Sequence, residues 1–309
     1  MKLALKANDV KNFRKILGFI LLIRKQCIFK FDKELLSIYS LDKELPMACA
    51  SIGRVNFLRF DVIAKDDLIG FEINVEPLFQ ILRNYEKSPS TSDLVIKLQR
   101  GEDEPVTGNG NGNQATNTNK KRAVFLALSY NEDITIRTEI FHSFSIPVNL
   151  LRRNILDSIS TPPLRNVEIV MDLNRMLNPF FGRIERYRNT ESLNLVVNRL
   201  GEMKVELEDG EKKISIKWKN LLDNCRPEDV DTQAQNQADD KDPNDLDMIK
   251  EIAVKVRSRW WNIVSRLLEF GETLQMYIYA NGCAFTCNPD DEQSCTLIYY
   301  LPGKLLVFD

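Results

Sequence analysis

One histidine, His142, stands in the 309 residues, and that scarcity removes more chemistry than any other feature. Ser-His-Asp and Cys-His nucleophilic catalysis and multi-histidine metal centres would all have to pass through that side chain. It sits in Phe141-His142-Ser143-Phe144, where it reads as a structural residue between strand positions. Long apolar runs are missing as well: Phe19 to Ile23, among the longest, is far short of the roughly 20 residues that span a bilayer. Met1 to Lys6 alternates like a strand and holds no signal-peptide core, so a soluble intracellular protein with no membrane partner is expected. None of the six cysteines forms a Cys-x-x-Cys pair. They read as plain thiols, and the spacing of Cys283, Cys287 and Cys295 fits no zinc knuckle. An excess of one charge is lacking too, the formal net charge being -2. What is present is length and apolar content, 43% hydrophobic, enough for two ordinary domains with a core each.

Two segments carry motifs that fail on their details. Residues 101–121 (GEDEPVTGNGNGNQATNTNKK) are rich in glycine, but no Gly-Lys-Ser or Gly-Lys-Thr follows, and the segment reads as a flexible hairpin tip rather than a phosphate loop. Residues 223–246 are acidic and amide-rich. Asp240, Asp242, Asn244 and Glu251 occupy positions 1, 3, 5 and 12 of a calcium loop, yet Asp245 stands where its sharp turn needs glycine. A metal-dependent nuclease or phosphatase would draw on Asp239, Asp240, Asp242 and Asp245, but a segment this polar cannot hold them rigidly. No cofactor and no metal is expected, and no enzyme activity.

The rest is mostly period-two alternation, the signature of half-buried strands. Strands are expected at 2–6, 27–31, 35–39, 47–52, 54–60, 68–74, 94–99, 123–129, 134–138, 167–171, 193–198, 204–208, 213–219, 251–256, 274–279, 284–287 and 296–300. Four segments switch to helical spacing. Asp9 to Lys25, with Asp9 as N-cap, sets Val10, Phe13, Leu17, Ile20 and Leu21 against Lys11, Arg14, Lys15 and Lys25. Glu76 to Lys87 sets Leu78, Ile81, Leu82 and Tyr85 against Arg83 and Lys87. Asn178-Pro179 reads as a cap and first helical position leading into Phe180, Phe181, Ile184 and Tyr187, with Arg183 and Arg186 opposite. In 257–274 (RSRWWNIVSRLLEFGETL), Trp260, Ile263, Val264, Leu267 and Leu268 oppose Arg259 and Arg266.

The order of elements repeats: strand, helix, strands, strand then helix, strands, first over 1–140 and again over 167–309. An internal duplication is the economical explanation. The expected division is an N-terminal domain 1–142, a connector 143–166 marked by Pro147, Pro162 and Pro163, and a C-terminal domain 167–309. Charge separates the helices from everything else. The segments 9–25, 76–87, 171–188 and 255–272 carry +4, 0, +2 and +2, which leaves -10 on the remainder. An acidic chain whose basic excess lies in its few helices suits diffuse contact with a phosphate backbone and no base reading. Trp260 and Trp261 read as packed residues rather than stacking platforms.

At this point the sequence resembles the PCNA-like sliding clamps, and within them the Hus-type subunit of the checkpoint (nine-one-one) clamp, in its budding-yeast form. The resemblance rests on Met1-Lys2-Leu3, on His142 to Leu151 (HSFSIPVNLL), on Phe181-Gly182-Arg183-Ile184-Glu185-Arg186-Tyr187 and on Ile298-Tyr299-Tyr300. It implies an α+β fold of two clamp domains, with antiparallel sheets outside and four helices on an inner face. It also implies a non-catalytic subunit of a heterotrimeric DNA damage checkpoint clamp in the nucleus, closed with two other subunits around duplex DNA. A clamp loader of the RFC type would open the ring, and checkpoint kinase and repair proteins would be its clients. The DNA-facing residues would be Lys11, Arg14, Lys15, Lys25, Arg83, Lys87, Arg183, Arg186, Arg259 and Arg266, with Ile134, Ile136, Ile214 and Ile216 on the ring edges. A homotrimeric replication clamp would share the fold, but the Hus-type motifs and the two insertions count against it.

Overall fold

The computed structural model describes residues 1–5, 7–41, 46–64, 67–88, 91–101, 123–135, 138–187, 189–219, 222, 224–225, 251–271, 273–279, 281–288 and 294–306. Almost all of both insertions, the calcium-like aspartates and Ile136 lie outside these residues. The chain forms two compact units: Met1–Leu17 with Lys25–Ile38 and Gly53–Ile159, and Gly18–Arg24 with Tyr39–Ile52 and Ser160–Asp309.

Seven strands of the first unit are β1 (Lys2–Leu5), β2 (Gln26–Phe31), β5 (Arg59–Asp61), β6 (Ile69–Asn74), β7 (Leu94–Arg100), β8 (Val124–Thr135) and β9 (Thr138–Leu150). They join antiparallel in the order β5-β1-β7-β8-β9-β6-β2. Strand β3 (Leu35–Ser40) follows β2 in the chain, and β4 (Met47–Gly53) follows β3.

In the second unit the strands are β10 (Val167–Asn174), β11 (Ser192–Val197), β12 (Met203–Asp209), β13 (Lys212–Trp218), β14 (Asn224–Cys225), β15 (Ile252–Arg257), β16 (Thr273–Tyr279), β17 (Gly282–Cys287) and β18 (Cys295–Leu306). Their order is β14-β10-β16-β17-β18-β15-β11-β12-β13. Replacing β5, β1, β7, β8, β9, β6 and β2 by β14, β10, β16, β17, β18, β15 and β11 reproduces the first unit's ladder pair by pair. The duplication expected from element order is thus repeated in the hydrogen bonding. Pro147 opposite Phe125 and Pro302 opposite Gly282 even occupy matching places, each just before its strand turns to pair with β6 or β15.

One pairing has no counterpart within the first unit. The first half of β18, Cys295 to Tyr300, is paired on its free side by β4, Ile52 to Met47.

Alternation explains the cores. Phe29, Phe31 and Phe71, at most 1% exposed, stack at 5.7–6.3 Å between centroids across β2 and β6. In the second unit Trp261, fully buried, lies 5.6 Å from Phe181 and 5.9 Å from Phe285. Each such ring contributes about 1.5–3 kcal/mol by leaving water.

The helices depart from expectation at their ends. Helix α1 (Ala7–Ile23) starts ahead of Asp9, which therefore lies inside the first turn and is not the N-cap. Asn74 caps α2 (Val75–Lys87), its Oδ1 accepting from the Glu76 N–H at 3.1 Å. Asn174 does the same for a 3-10 turn at Arg175–Leu177, accepting from the Met176 N–H at 3.0 Å, so the capping residue is Asn174 and not Asn178. Pro179 sits in the first turn of the short helix α4 (Asn178–Ile184) that follows. The expected continuous helix over 257–274 is instead two single turns, Ser258–Trp261 and Val264–Leu267. Residues 54–60, expected as strand, form a 3-10 turn at Arg54–Asn56 before β5.

The segment expected as a connector is largely ordered. Residues 143–150 belong to β9, and Arg153–Ser158 form helix α3. Leu156 of α3 fills the place a side chain at Gly70 would need, 2.1 Å from where a Cβ would stand. Lys30 Nζ donates to the carbonyls of Leu156 and Ile159 at 3.0 and 2.9 Å, neutralising the helix's C-terminal end.

Candidate nucleic-acid and subunit interfaces

In the first unit the cations expected to face DNA lie on α1 and α2, apart from Lys25, which follows the end of α1. α1 buries Val10, Phe13, Ile16 and Leu17, and α2 buries Leu78, Ile81, Leu82 and Tyr85. Their opposite faces meet through Arg14, which pairs with Glu86 and lies 6.0 Å from the Phe79 ring, and through Lys25, 2.7 Å from Glu76. Rising numbers on one segment meet falling numbers on the other, so the two run antiparallel. Partly exposed pairs of this kind are worth about 0–1 kcal/mol, but each removes a positive charge from the surface. Of the six cations expected to face DNA here, Arg14 and Lys25 are thus neutralised locally. Lys11, Lys15, Arg83 and Lys87 have no carboxylate within ion-pair distance among the described residues, and Lys11, Arg83 and Lys87 are fully on the surface.

In the second unit Arg183 on α4 and Arg186 just beyond it are exposed, while Phe180, Phe181 and Ile184 are buried. The turn at 264–267 is tied to them by Ser265 Oγ donating to Glu185 at 3.0 Å. Arg266 is exposed but paired to Glu269 at 3.0 Å. Trp260 is 8% exposed, with the guanidinium groups of Arg257 and Arg259 at 4.7 and 5.2 Å from its ring. Each contact is worth about 0.5–1 kcal/mol and leaves the charge outward. Both tryptophans are therefore packed. Arg257 joins the cationic surface without having been expected there, because as the last residue of β15 it carries no helical-phase signal.

Of the residues expected on the ring edges, Ile214 and Ile216 lie on β13, Ile134 lies on β8, which pairs with both β7 and β9, and Ile136 is outside the described residues. Among the described residues β13 pairs only with β12, and β9 from Thr138 to Pro147 pairs only with β8. Ile214 and Ile216 are half-buried between exposed Lys213, Ser215 and Lys217. Ile134 is 56% exposed but sits at the far end of β8, away from the stretch of β9 that matches β18. That stretch, placed by Pro147 and Pro302, is Ile140 to Ser145, and its Phe141 is 67% exposed. It was missed because expectation ended the strand at Thr138 and began a connector at 143.

Beside β13 lies a cleft of about 330 Å³, lined by Pro179, Phe180 and Arg183 of α4 and by Ile216 to Lys219. Phe180 stands 6.2 Å from Trp218, edge to face, and the indole Nε1 of Trp218 is buried without an acceptor among the described residues. His142 lies on β9, stacked on Tyr130 at 4.6 Å and 2.9 Å from a Glu132 oxygen, a side chain held by packing and one hydrogen bond. Burial pushes the thiols of Cys49, Cys283 and Cys287 up to about 12, so they stay neutral and poorly nucleophilic. No group of three or more potential metal ligands occurs among the described residues, and no described helix is long and apolar enough to cross a membrane.

Comparison with known proteins follows the same lines. The family model described as "Hus1-like protein" matches residues 1–304. The DNA damage checkpoint control protein MEC3 of Saccharomyces cerevisiae is 24% identical over 323 aligned positions, covering 78% of this chain and 68% of that protein. Among solved structures, the proliferating cellular nuclear antigen of Entamoeba histolytica superposes with a TM-score of 0.61 at 11% identity, covering 98% of both chains. PCNA of Thermococcus kodakaraensis gives 0.63 at 9% identity, and the PCNA2–PCNA3 complex of Sulfolobus tokodaii 0.59 at 11%, each over 98% of this chain and 99% of the other. The fold is that of the PCNA-like clamps.

Proposed function

Because this chain belongs to the Hus1-like protein family, we propose that it is a non-catalytic subunit of a DNA damage checkpoint sliding clamp, closing with two different companions into a nuclear ring around duplex DNA. The observation that carries this reading is the pairing of β4 with β18. By element order β13 is the second-half counterpart of β4, and Ile140 to Ser145 of β9 matches Cys295 to Tyr300 of β18. The chain therefore makes one β4–β18 junction internally and leaves one half of a second junction at each of two free edges. An unpaired edge is a ready site for another strand, and head-to-tail repetition of one junction closes a ring when the rotation permits. Ile214 and Ile216 belong to one such edge, and Ile140 to Ser145, rather than Ile134, to the other.

Cations of each unit support the DNA part of the reading. Lys11, Lys15, Arg83, Lys87, Arg183, Arg186, Arg257 and Arg259 offer charge to phosphates with no array of groups suited to base edges. In this reading a separate ATP-driven loader opens the ring, and the clients are checkpoint kinase and repair proteins. The family match favours the Hus-type reading over a homotrimeric replication clamp.

Co-expression with the two companion clamp subunits should give a 1:1:1 complex by native mass spectrometry. Loaded by its clamp loader onto nicked circular DNA, that complex should survive a high-salt wash, and linearising the circle should release it. Free binding to short linear duplexes should weaken steeply with salt, as counterion release dictates. Equal salt sensitivity on circular and linear DNA would exclude encirclement.

A further inference from the structure

The clamp reading leaves the cleft between α4 and β13 without an occupant. Its floor is aromatic, with Phe180 and Trp218 meeting edge to face at 6.2 Å. Its rim is cationic, from Arg183, Lys217 and Lys219, of which among the described residues only Lys217 is compensated, by Glu202 at 2.8 Å. Trp218 also holds a buried N–H with no acceptor among the described residues. Leaving such a donor unmade costs about 1–3 kcal/mol, which an incoming acceptor would recover.

The internal junction shows what belongs beside a helix at such a place. Where β18 runs along β4, Tyr299 turns inward, is fully buried, and meets Phe19 of α1 at 5.5 Å edge to face. The counterpart of α1 at the free junction is α4, and the counterpart of β4 is β13. The position filled internally by the Tyr299 ring is thus the cleft.

We propose that this cleft seats an aromatic side chain from the open edge strand of one companion subunit, and that the strand carrying it is acidic. This rests on the clamp reading and adds to it the chemistry by which this edge recognises its neighbour. The ring closes over Trp218 and Phe180, the strand pairs with β13, and carboxylates beside the ring meet Arg183 and Lys219. Charge complementarity of this kind mainly sets the encounter rate and rejects the wrong partner, while the buried ring supplies the affinity.

The test uses wild type and three variants, Trp218→Phe, Ile216→Asp and the double change Lys217→Glu with Lys219→Glu, each mixed with either companion subunit alone. Calorimetry should show wild type binding both companions. Ile216→Asp and the double variant should bind one of them about tenfold or more weakly, in line with the loss of a central interface contact, and keep the other, which meets β9. That same companion should shift wild-type tryptophan emission to the blue, and Trp218→Phe, which preserves the apolar shape, should lack the shift. Unchanged binding of both companions by the variants, with wild type binding normally, would overturn the cleft assignment and leave the clamp reading standing. Failure of wild type to bind either companion would instead overturn the clamp reading and this proposal with it. A trimer of wild type alone would mean that its own β9, with Phe144 at the position of Tyr299, fills the cleft, and would overturn the assignment to a companion.

Discussion

Cys49, Cys283 and Cys287 have thiols pushed from an ordinary 9.0 to about 12 by burial alone. In the unfolded chain they ionise near 9, while the folded chain holds them protonated. Their contribution is therefore complete below pH 9 and is lost as the pH climbs toward 12. Tyr299 and Tyr300, also pushed up by burial, extend the same trend above the ordinary tyrosine value of 10.0. Melting followed by circular dichroism should show a nearly constant Tm from pH 7 to about 8.5 and a progressive fall beyond 9; a flat profile to pH 11 would contradict the burial. At this scale the sequence was an uneven guide. Trp260 could be read as packed from its helical phase. That Arg14 and Lys25 would spend their charge on Glu86 and Glu76 could not, because those partners lie 72 and 51 positions away.

Each half begins a helix-bearing segment in the same way, with an asparagine ending a strand and accepting a backbone N–H. Asn74 and Asn174 do this for α2 and for the turn that leads into α4. Replacing such a cap by alanine costs about 1 kcal/mol, so Asn74→Ala and Asn174→Ala should each lower stability by roughly that amount in urea unfolding. Asn84→Ala, exposed on the surface of α2, should change little. The periodic signal located α1, α2 and most strands to within a few residues. It failed where tertiary contacts set the local form. Trp260 and Trp261 are neighbours in sequence yet both are buried, and the helical turn ends at Trp261 instead of running on through the segment. The prolines at 147, 162 and 163 suggested an extended connector, yet Pro147 is accommodated in β9 and α3 follows, held by Lys30 and the notch at Gly70.

At the scale of the whole molecule, the reading places a sparse set of cations along a duplex. Their effects should differ according to whether a carboxylate already holds them. Arg186→Glu together with Arg259→Glu should impair loading onto circular DNA and reduce the slope of log affinity against log salt by about one to two, since each phosphate contact contributes about 0.9. Arg266→Glu should do less, because Arg266 already shares its charge with Glu269. Circular dichroism should stay at wild-type values for both variants, and the double variant should lose no more stability than the Arg259–Trp260 contact supplies, about 0.5–1 kcal/mol. Loading at the wild-type level by the double variant would remove these arginines from the DNA path.

The sequence by itself determined the class of the molecule: alternating strands, four helical segments, a duplicated order, and the excess of positive charge confined to the helices. These are local periodicities and compositions, which one stretch of chain expresses without reference to any other. Only the tertiary structure decided which cations remain free, which strand edges stay open, and that a cleft with an aromatic floor lies beside one of them. Those properties depend on pairings such as β4 with β18, between segments some 250 positions apart, and no local pattern encodes the partner of a strand.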